Sequence, residues 1–130
     1  MVTKRESGGR VSSFRTNFTN YLKEFCTTIT IRRTTETKDS MGRVTDTSIT
    51  TSTARADIQW VTKSNIRYDN TGKAEIGDGR VYVEYNTDLQ VLDEIEFNNQ
   101  RYKVYEQFEG EVVLGDVIYL GFLIRKNAQA

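Results

Sequence analysis

The sequence predicts a mostly β domain, a small antiparallel barrel or sandwich of about six to seven strands with one amino-terminal α-helix. Three observations predict it. Apolar and polar residues alternate in short runs that recur at roughly 8- to 12-residue intervals, the spacing of sandwiches and barrels. Seventeen threonines favour pleated backbone. A single stretch, beginning at Val11, repeats its apolar residues at helical steps instead.

Residues 1–10 mix charge with Ser7 and the pair Gly8-Gly9, show no apolar period, and are expected to form a flexible arm. Val11, Phe14, Phe18, Tyr21, Leu22 and Phe25 then fall on one helical stripe, whose start Ser12 or Ser13 can cap. That stripe packs either on the domain's own sheet or on a neighbouring molecule. After Cys26 the period changes to two, with Ile29 and Ile31 set against Thr28, Thr30 and Arg32. Asp39-Ser40-Met41-Gly42 signals a turn in which Gly42 takes positive φ, and residues 44–51 return as the second strand of a hairpin. A further strand follows at 54–60. Its alternation puts Ala54, Ala56, Ile58 and Trp60 on one face and so places Trp60 in the core.

Residues 62–80 have no period and are punctuated by Gly72, Gly77 and Gly79, the signature of a long loop with a function of its own. Four strands complete the chain, at 81–86, 89–97, 101–108 and 116–125, and Asn98-Asn99 supplies a tight turn between the middle two. In the last strand Val117, Tyr119 and Leu123 share one face, and Ile118, Leu120, Phe122 and Ile124 the other. It should therefore be covered on both sides. The chain divides into an arm and helix over 1–26 and a β domain over 27–130, one unit at 130 residues.

Composition narrows the function. The chain has no histidine, which removes Ser-His-Asp and Cys-His nucleophilic machinery together with the commonest transition-metal ligand. Cys26 is the lone cysteine, so no intramolecular disulfide forms, and it reads as a small apolar residue. No apolar run approaches the roughly 20 residues of a membrane span, and the first residues lack the apolar stretch of a signal peptide. The chain is therefore expected to fold in the cytosol, without a membrane. Net charge is zero, yet residues 1–43 hold nine Lys/Arg against four Asp/Glu and residues 84–116 hold two against nine. Such segregation suits copies that stack head to tail.

Candidate chemistry is sparse. The carboxylate pairs Asp93-Glu94 and Glu109/Glu111 read as surface charge, because neighbours on a strand point to opposite faces while acid and base must converge. Asp69, Asn70, Thr71, Glu75 and Asp78 offer oxygen ligands without the spacing of a calcium loop. Gly77-Asp78-Gly79 lacks the rest of a phosphate-binding loop. Arg67, Tyr68, Lys73, Arg80 and Tyr82 mix basic and aromatic groups in the manner of single-strand-binding barrels, but net neutrality opposes that use. No metal, cofactor or enzymatic activity is expected.

The pattern resembles the head-closure, or stopper, proteins that join head and tail in tailed bacteriophages. Ile29-Thr30-Ile31-Arg32-Arg33 with Thr35 to Asp39 and Gly42-Arg43-Val44 is similar to that family's opening hairpin. Ala54 to Ile58 and Val81 to Tyr85 resemble two later strands, and Leu92 to Val104 resembles the late hairpin, an acidic-apolar strand, an Asn-rich turn and an Arg-Tyr-x-Val return. The likeness spans residues 27–125. Outside it lie the amino-terminal extension and the particular 62–80 loop.

The resemblance implies a virion subunit forming a dodecameric ring beneath the portal or adaptor, receiving the tail and helping to retain packaged double-stranded DNA. Loop residues Lys63, Ser64, Asn65, Arg67, Tyr68, Asn70 and Lys73 would face the channel. Phe14, Phe18, Tyr21, Leu22, Arg32 and Arg33 would meet the portal or a neighbouring subunit.

Overall fold

The computed structural model describes residues 2–68, 72–108, 112, 113 and 115–126; the side chains of residues 2–11, 25 and 68 lie outside that description. Helix α1 (Val2–Phe25) precedes β1 (Thr27–Lys38), β2 (Val44–Trp60), β3 (Gly79–Glu84), β4 (Glu94–Phe97), β5 (Gln100–Phe108), β6 (Val112–Val113), β7 (Asp116–Val117) and β8 (Tyr119–Lys126), with a 3-10 turn at Ile66–Tyr68. Six strands close into an antiparallel barrel in the order β1-β2-β3-β8-β5-β4, and β6 with β7 makes a separate two-stranded ribbon. The expected β class with one helix is thus observed, as a barrel rather than a sandwich.

Alternation dictates what fills the barrel. Ile29 and Ile31 of β1, Ala56 of β2, Val81 and Val83 of β3, Ile95 of β4, Val104 of β5, and Phe122 and Ile124 of β8 form one buried cluster, joined by Leu89 from the β3–β4 connection. The opposite face of β8 is covered as well, since Leu123 is fully buried beside Phe122 and Ile124. This is the two-sided strand that its apolar pattern predicts.

Part of the helix stripe packs on its own barrel. Leu22 is fully buried, and Phe18 stacks on Tyr119 with ring centroids 4.7 Å apart. Tyr119 meets the Tyr82 ring edge-on at 5.6 Å, and Tyr82 meets Phe108 the same way at 5.7 Å, giving an aromatic row outside the barrel. Arg15 donates from Nε and Nη2 to the Val117 carbonyl. Arg55 donates to the Leu22 and Lys23 carbonyls at 3.0 and 2.8 Å, a cation satisfying the acceptors left over at a helix C-terminus.

Four expectations are corrected. The arm expected over 1–10 is helical backbone from Val2 onward; Gly8 and Gly9 lower helix propensity by about 1 kcal/mol each without breaking the helix, and no proline intervenes. Residues 44–51 and 54–60 belong to one 17-residue strand. Of residues 89–97, only Glu94–Phe97 pairs as strand. Trp60 is 40% exposed. Alternation gives its face correctly, but it is the last residue of β2, where the inward face opens at the barrel rim; there it packs against Phe97 and Tyr102 with centroids 6.1 and 5.5 Å away. The turn chemistry is as expected, with φ of 82° at Gly42 and 51° and 59° at Asn98 and Asn99.

Gly121 shows how tightly the outer layer is set. A Cβ there would meet three atoms of the Phe108 ring closer than ordinary contact allows. Gly121→Ala should cost about 1–3 kcal/mol by denaturant unfolding, and adding Phe108→Ala should lessen the penalty of the glycine change, since the obstructing ring is then gone.

Candidate functional site

The β1–β2 hairpin leaves the barrel at one end. β1 pairs with β4 only over Thr30–Arg32, and β2 pairs with β3 only over Ala56–Trp60. From Arg33 to Lys38 and from Val44 to Thr50 the two strands pair with each other alone. About six residues at roughly 3.3 Å each make a ribbon some 20 Å long, exposed on both faces beyond Arg33. Its tip is built by Asp39, whose Oδ1 accepts from the Met41 and Arg43 N–H groups at 2.9 Å each. Met41, Val44 and Ile49 are exposed along it.

At the base of this ribbon Arg33 grips Asp93, Nε to Oδ1 at 3.0 Å and Nη2 to Oδ2 at 2.8 Å, and also donates to Asp88. Asp93 is 4% exposed, which corrects its assignment to surface charge. Burial away from water requires a paired carboxylate, and a planar guanidinium supplies two parallel bonds. The Asp88 carboxyl is held below its ordinary value by those Arg33 hydrogen bonds. Polar clefts of about 220 and 410 Å³ lie alongside, where Arg33, Ser52 and Asp88 meet the first ribbon rungs.

The other end of the barrel is fastened by a second lock. Asp78, 3% exposed, accepts from Arg125 Nε and Nη2 at 3.0 Å each and from the Tyr105 hydroxyl at 2.5 Å. The Arg125 guanidinium lies over the Tyr105 ring. Burial alone would raise the Asp78 carboxyl; hydrogen bonds from Arg125, Tyr105 and the Glu75 N–H outweigh it and hold the group below its ordinary 3.8. Burial and the neighbouring Asp78 push the Tyr105 hydroxyl up.

The two locks end matching turns. Glu75 N–H donates to Asp78 Oδ2 at 2.8 Å, and Gln90 N–H to Asp93 Oδ2 at 2.9 Å; Asp78 N–H and Asp93 N–H return to the carbonyls of Glu75 and Gln90. The third residue has positive φ in both, 99° at Gly77 and 80° at Leu92. Glycine accepts that conformation freely, whereas a leucine there carries a strain of about 1–2 kcal/mol. Leu92 is also 71% exposed.

Of the residues expected to face a channel, Ser64 and Asn65 are folded back at the end of the barrel that Asp78 fastens. Thr62 Oγ1 and Ser64 Oγ are 2.9 Å apart, Asn65 Oδ1 accepts from Thr62 N–H, and its Nδ2 donates to the Trp60 carbonyl. Lys73 pairs with Glu106 at 2.6 Å. Lys63 and Arg67 are exposed, the Tyr68 backbone closes the 3-10 turn, and Asn70 lies outside the described residues. Of the expected interface set, Leu22, Phe18 and Arg33 serve the chain's own packing, Arg32 is half-buried on β1, and Phe14 and Tyr21 remain 42% exposed on the helix. Of the basic and aromatic groups weighed for single strands, Arg80 and Tyr82 share the outer face of β3, Tyr82 sits in the aromatic row, Lys73 pairs with Glu106, and the Tyr68 side chain lies outside the described residues.

Burial, then the neighbouring Asp57, raises the Cys26 thiol. Among the described residues no three Asp, Glu or Cys side chains converge to hold a metal ion, and no helix is long and apolar enough to cross a membrane.

These features define a closed β-barrel carrying a flanking helix and a projecting ribbon. No family model matches the chain, and no curated protein matches it. Among solved structures it is similar to protein SF1141 from Shigella flexneri 2a, at 20% identity and a TM-score of 0.58, over 79% of this chain and 93% of that one. At that identity the likeness is one of fold.

Asp78 gives a pH signature. Its folded ionisation lies below the unfolded value, so between the two the unfolded chain binds more protons and stability rises with pH. The contribution is complete above about pH 4 and is lost as pH falls through the folded value. Asp78→Asn should remove that acid-range slope and cost roughly 2–3 kcal/mol at neutral pH, read from urea unfolding at stepped pH.

Proposed function

We propose that the chain is a non-enzymatic structural subunit of a tailed-phage head-tail connector, a head-closure ring that docks beneath the portal or adaptor, helps retain packaged DNA and receives the tail. Support comes from the motif resemblance over residues 27–125 together with one structural observation: a closed barrel whose longest unpaired strand edges, among the described residues, stand clear of it in a single polar ribbon. Barrel closure removes most edges of the six-stranded sheet, and the longest that remain lie together at one end.

Under this proposal the 62–80 loop lies at one end of the barrel, its described part tied down through Asn65 and Asp78, and the ribbon is a second element that would reach the channel from the other end. Threonine hydroxyls on both faces, with Lys38 near the tip beside the Arg43–Asp39 pair, would touch packaged DNA weakly in each copy. Repetition around an axis sums such contacts.

Cryo-microscopy of assembled particles tests the assignment: the barrel should occupy the ring directly below the portal or adaptor. Density in a ring against the tail tube would make it a tail-completion subunit, and absence from the particle would end the proposal. Replacing residues 36–47 with Asn-Gly, a turn suited to a hairpin, should leave cooperative unfolding intact while leaking heads accumulate in place of infectious particles.

A further inference from the structure

The two free edges of the ribbon are unlike. The free stretch of β1, Arg33–Lys38, carries Arg33, Glu36 and Lys38, and charge along an edge opposes further pairing. β2 gives β3 only Ala56–Trp60, so Val44–Arg55 has no strand beside it among the described residues. Between Val44 and Ala54 its single charge is Asp46, and the chain contains no proline. A cleft of about 410 Å³ runs along Ser52–Arg55 toward Glu84 and Asn86, so the strand position that β3 leaves is open. An edge this long and this little guarded is a pairing surface.

The direction of its backbone groups follows from the end of the strand. Val61, next after β2, donates its N–H to the Asp78 carbonyl at 2.8 Å and accepts from the Gly77 N–H at 2.9 Å, so it faces the β3 side. Backbone direction alternates along a strand, and the β1–β2 register is unbroken from Asp46 to Ala56. Thr47, Ile49, Thr51 and Thr53 therefore aim N–H and C=O at the open side. Thr47 agrees, because its N–H is taken by Asp46 Oδ1 at 2.9 Å. Ile49 stands in the middle of this row, 54% exposed, with Thr34 opposite it on β1.

We propose that the β2 edges of two copies of this chain pair antiparallel about a two-fold axis at Ile49. The segment Thr47-Ser48-Ile49-Thr50-Thr51 reads nearly alike in both directions, so a second copy is its complement: Thr47 meets Thr51, Ser48 meets Thr50, and Ile49 meets its counterpart. Hydroxyl pairs of this kind are favourable across strands, and the isoleucine acquires the apolar neighbour that its own sheet withholds. Asp46 falls opposite Ser52, whose hydroxyl can donate to the carboxylate once the Thr47 N–H is given up to the partner. An axis moved to Ser48 or Thr50 would set Ile49 against a threonine instead. The contact concerns the free chain and stands whether or not the connector role does. Neighbours in a cyclic ring are not related by two-folds, so this pair would part before a ring forms and would keep the ribbon covered until then.

Sedimentation of the full chain should show a two-copy species that dissociates on dilution. Ile49→Lys, which sets like charges on the axis, should weaken the pair about tenfold or more, with cooperative unfolding unchanged because Ile49 lies outside the barrel core. In a Cys26→Ser background, Thr47→Cys, Ile49→Cys and Thr51→Cys, each alone and treated with a short bismaleimide, should cross-link most at position 49. A chain that stays solitary or forms only larger rings, association indifferent to Ile49→Lys, or a cross-linking maximum away from position 49 would overturn the two-fold pair. None of these outcomes bears on the ring assignment, which the particle itself decides.

Discussion

Closure of the barrel depends on a short seam. β1 and β4 meet over only three residue pairs, Thr30 with Glu96, Ile31 with Ile95 and Arg32 with Glu94. Ile31 and Ile95 place buried side chains behind that seam, and Arg33, one residue further along β1, binds the carboxylate immediately before β4. Without the seam β1 and β4 would both be open edges and the apolar cluster would have a missing wall. With it, pairing is complete around the barrel, and the remainder of β1 is released to run outward with β2. The same arginine thus marks where barrel ends and ribbon begins.

Buried ion pairs of this kind are weak sources of stability, because desolvation cancels much of the attraction. Their effect here is on conformation. Asp78 and Asp93 each hold a turn, a strand start and a distant arginine in one geometry, at opposite ends of the barrel. Neither connection can slide in register without leaving a buried carboxylate unpaired, which costs far more than a displaced surface charge. The two ends are consequently rigid. A rigid mouth is what allows Leu92 to be held at a backbone conformation it would otherwise leave.

What could be read from the sequence was local. Ile29 and Ile31, Ala56, and the two-sided pattern of β8 follow from a period of two, and Gly42 and Asn98-Asn99 from turn chemistry, because neighbours in sequence decide both. Trp60 shows the limit: alternation fixes the face of a residue but not its height along the barrel. The locks were hidden because Asp78 and Asp93 look like ordinary turn carboxylates, their partners lying 47 and 60 residues away. The ribbon did leave a signal. Over residues 44–53 Ser and Thr occupy both faces and Ile49 has no apolar companion at i±2, so neither face could have been covered.

A projecting two-stranded ribbon is marginal by itself, and this one persists because both strands continue into a closed barrel that fixes their register. The dependence runs one way. The barrel core contains no ribbon residue beyond Ile31 and Ala54, so the ribbon can change shape, or pair with other strands, without disturbing what anchors it. The helix behaves differently: Leu22, Phe18, Arg15 and the Arg55 cap bind it to the outer wall, and it serves as part of the barrel's flank. A chain built this way keeps a fixed barrel and helix flank and one adaptable arm, the division of labour that the proposed connector subunit would use.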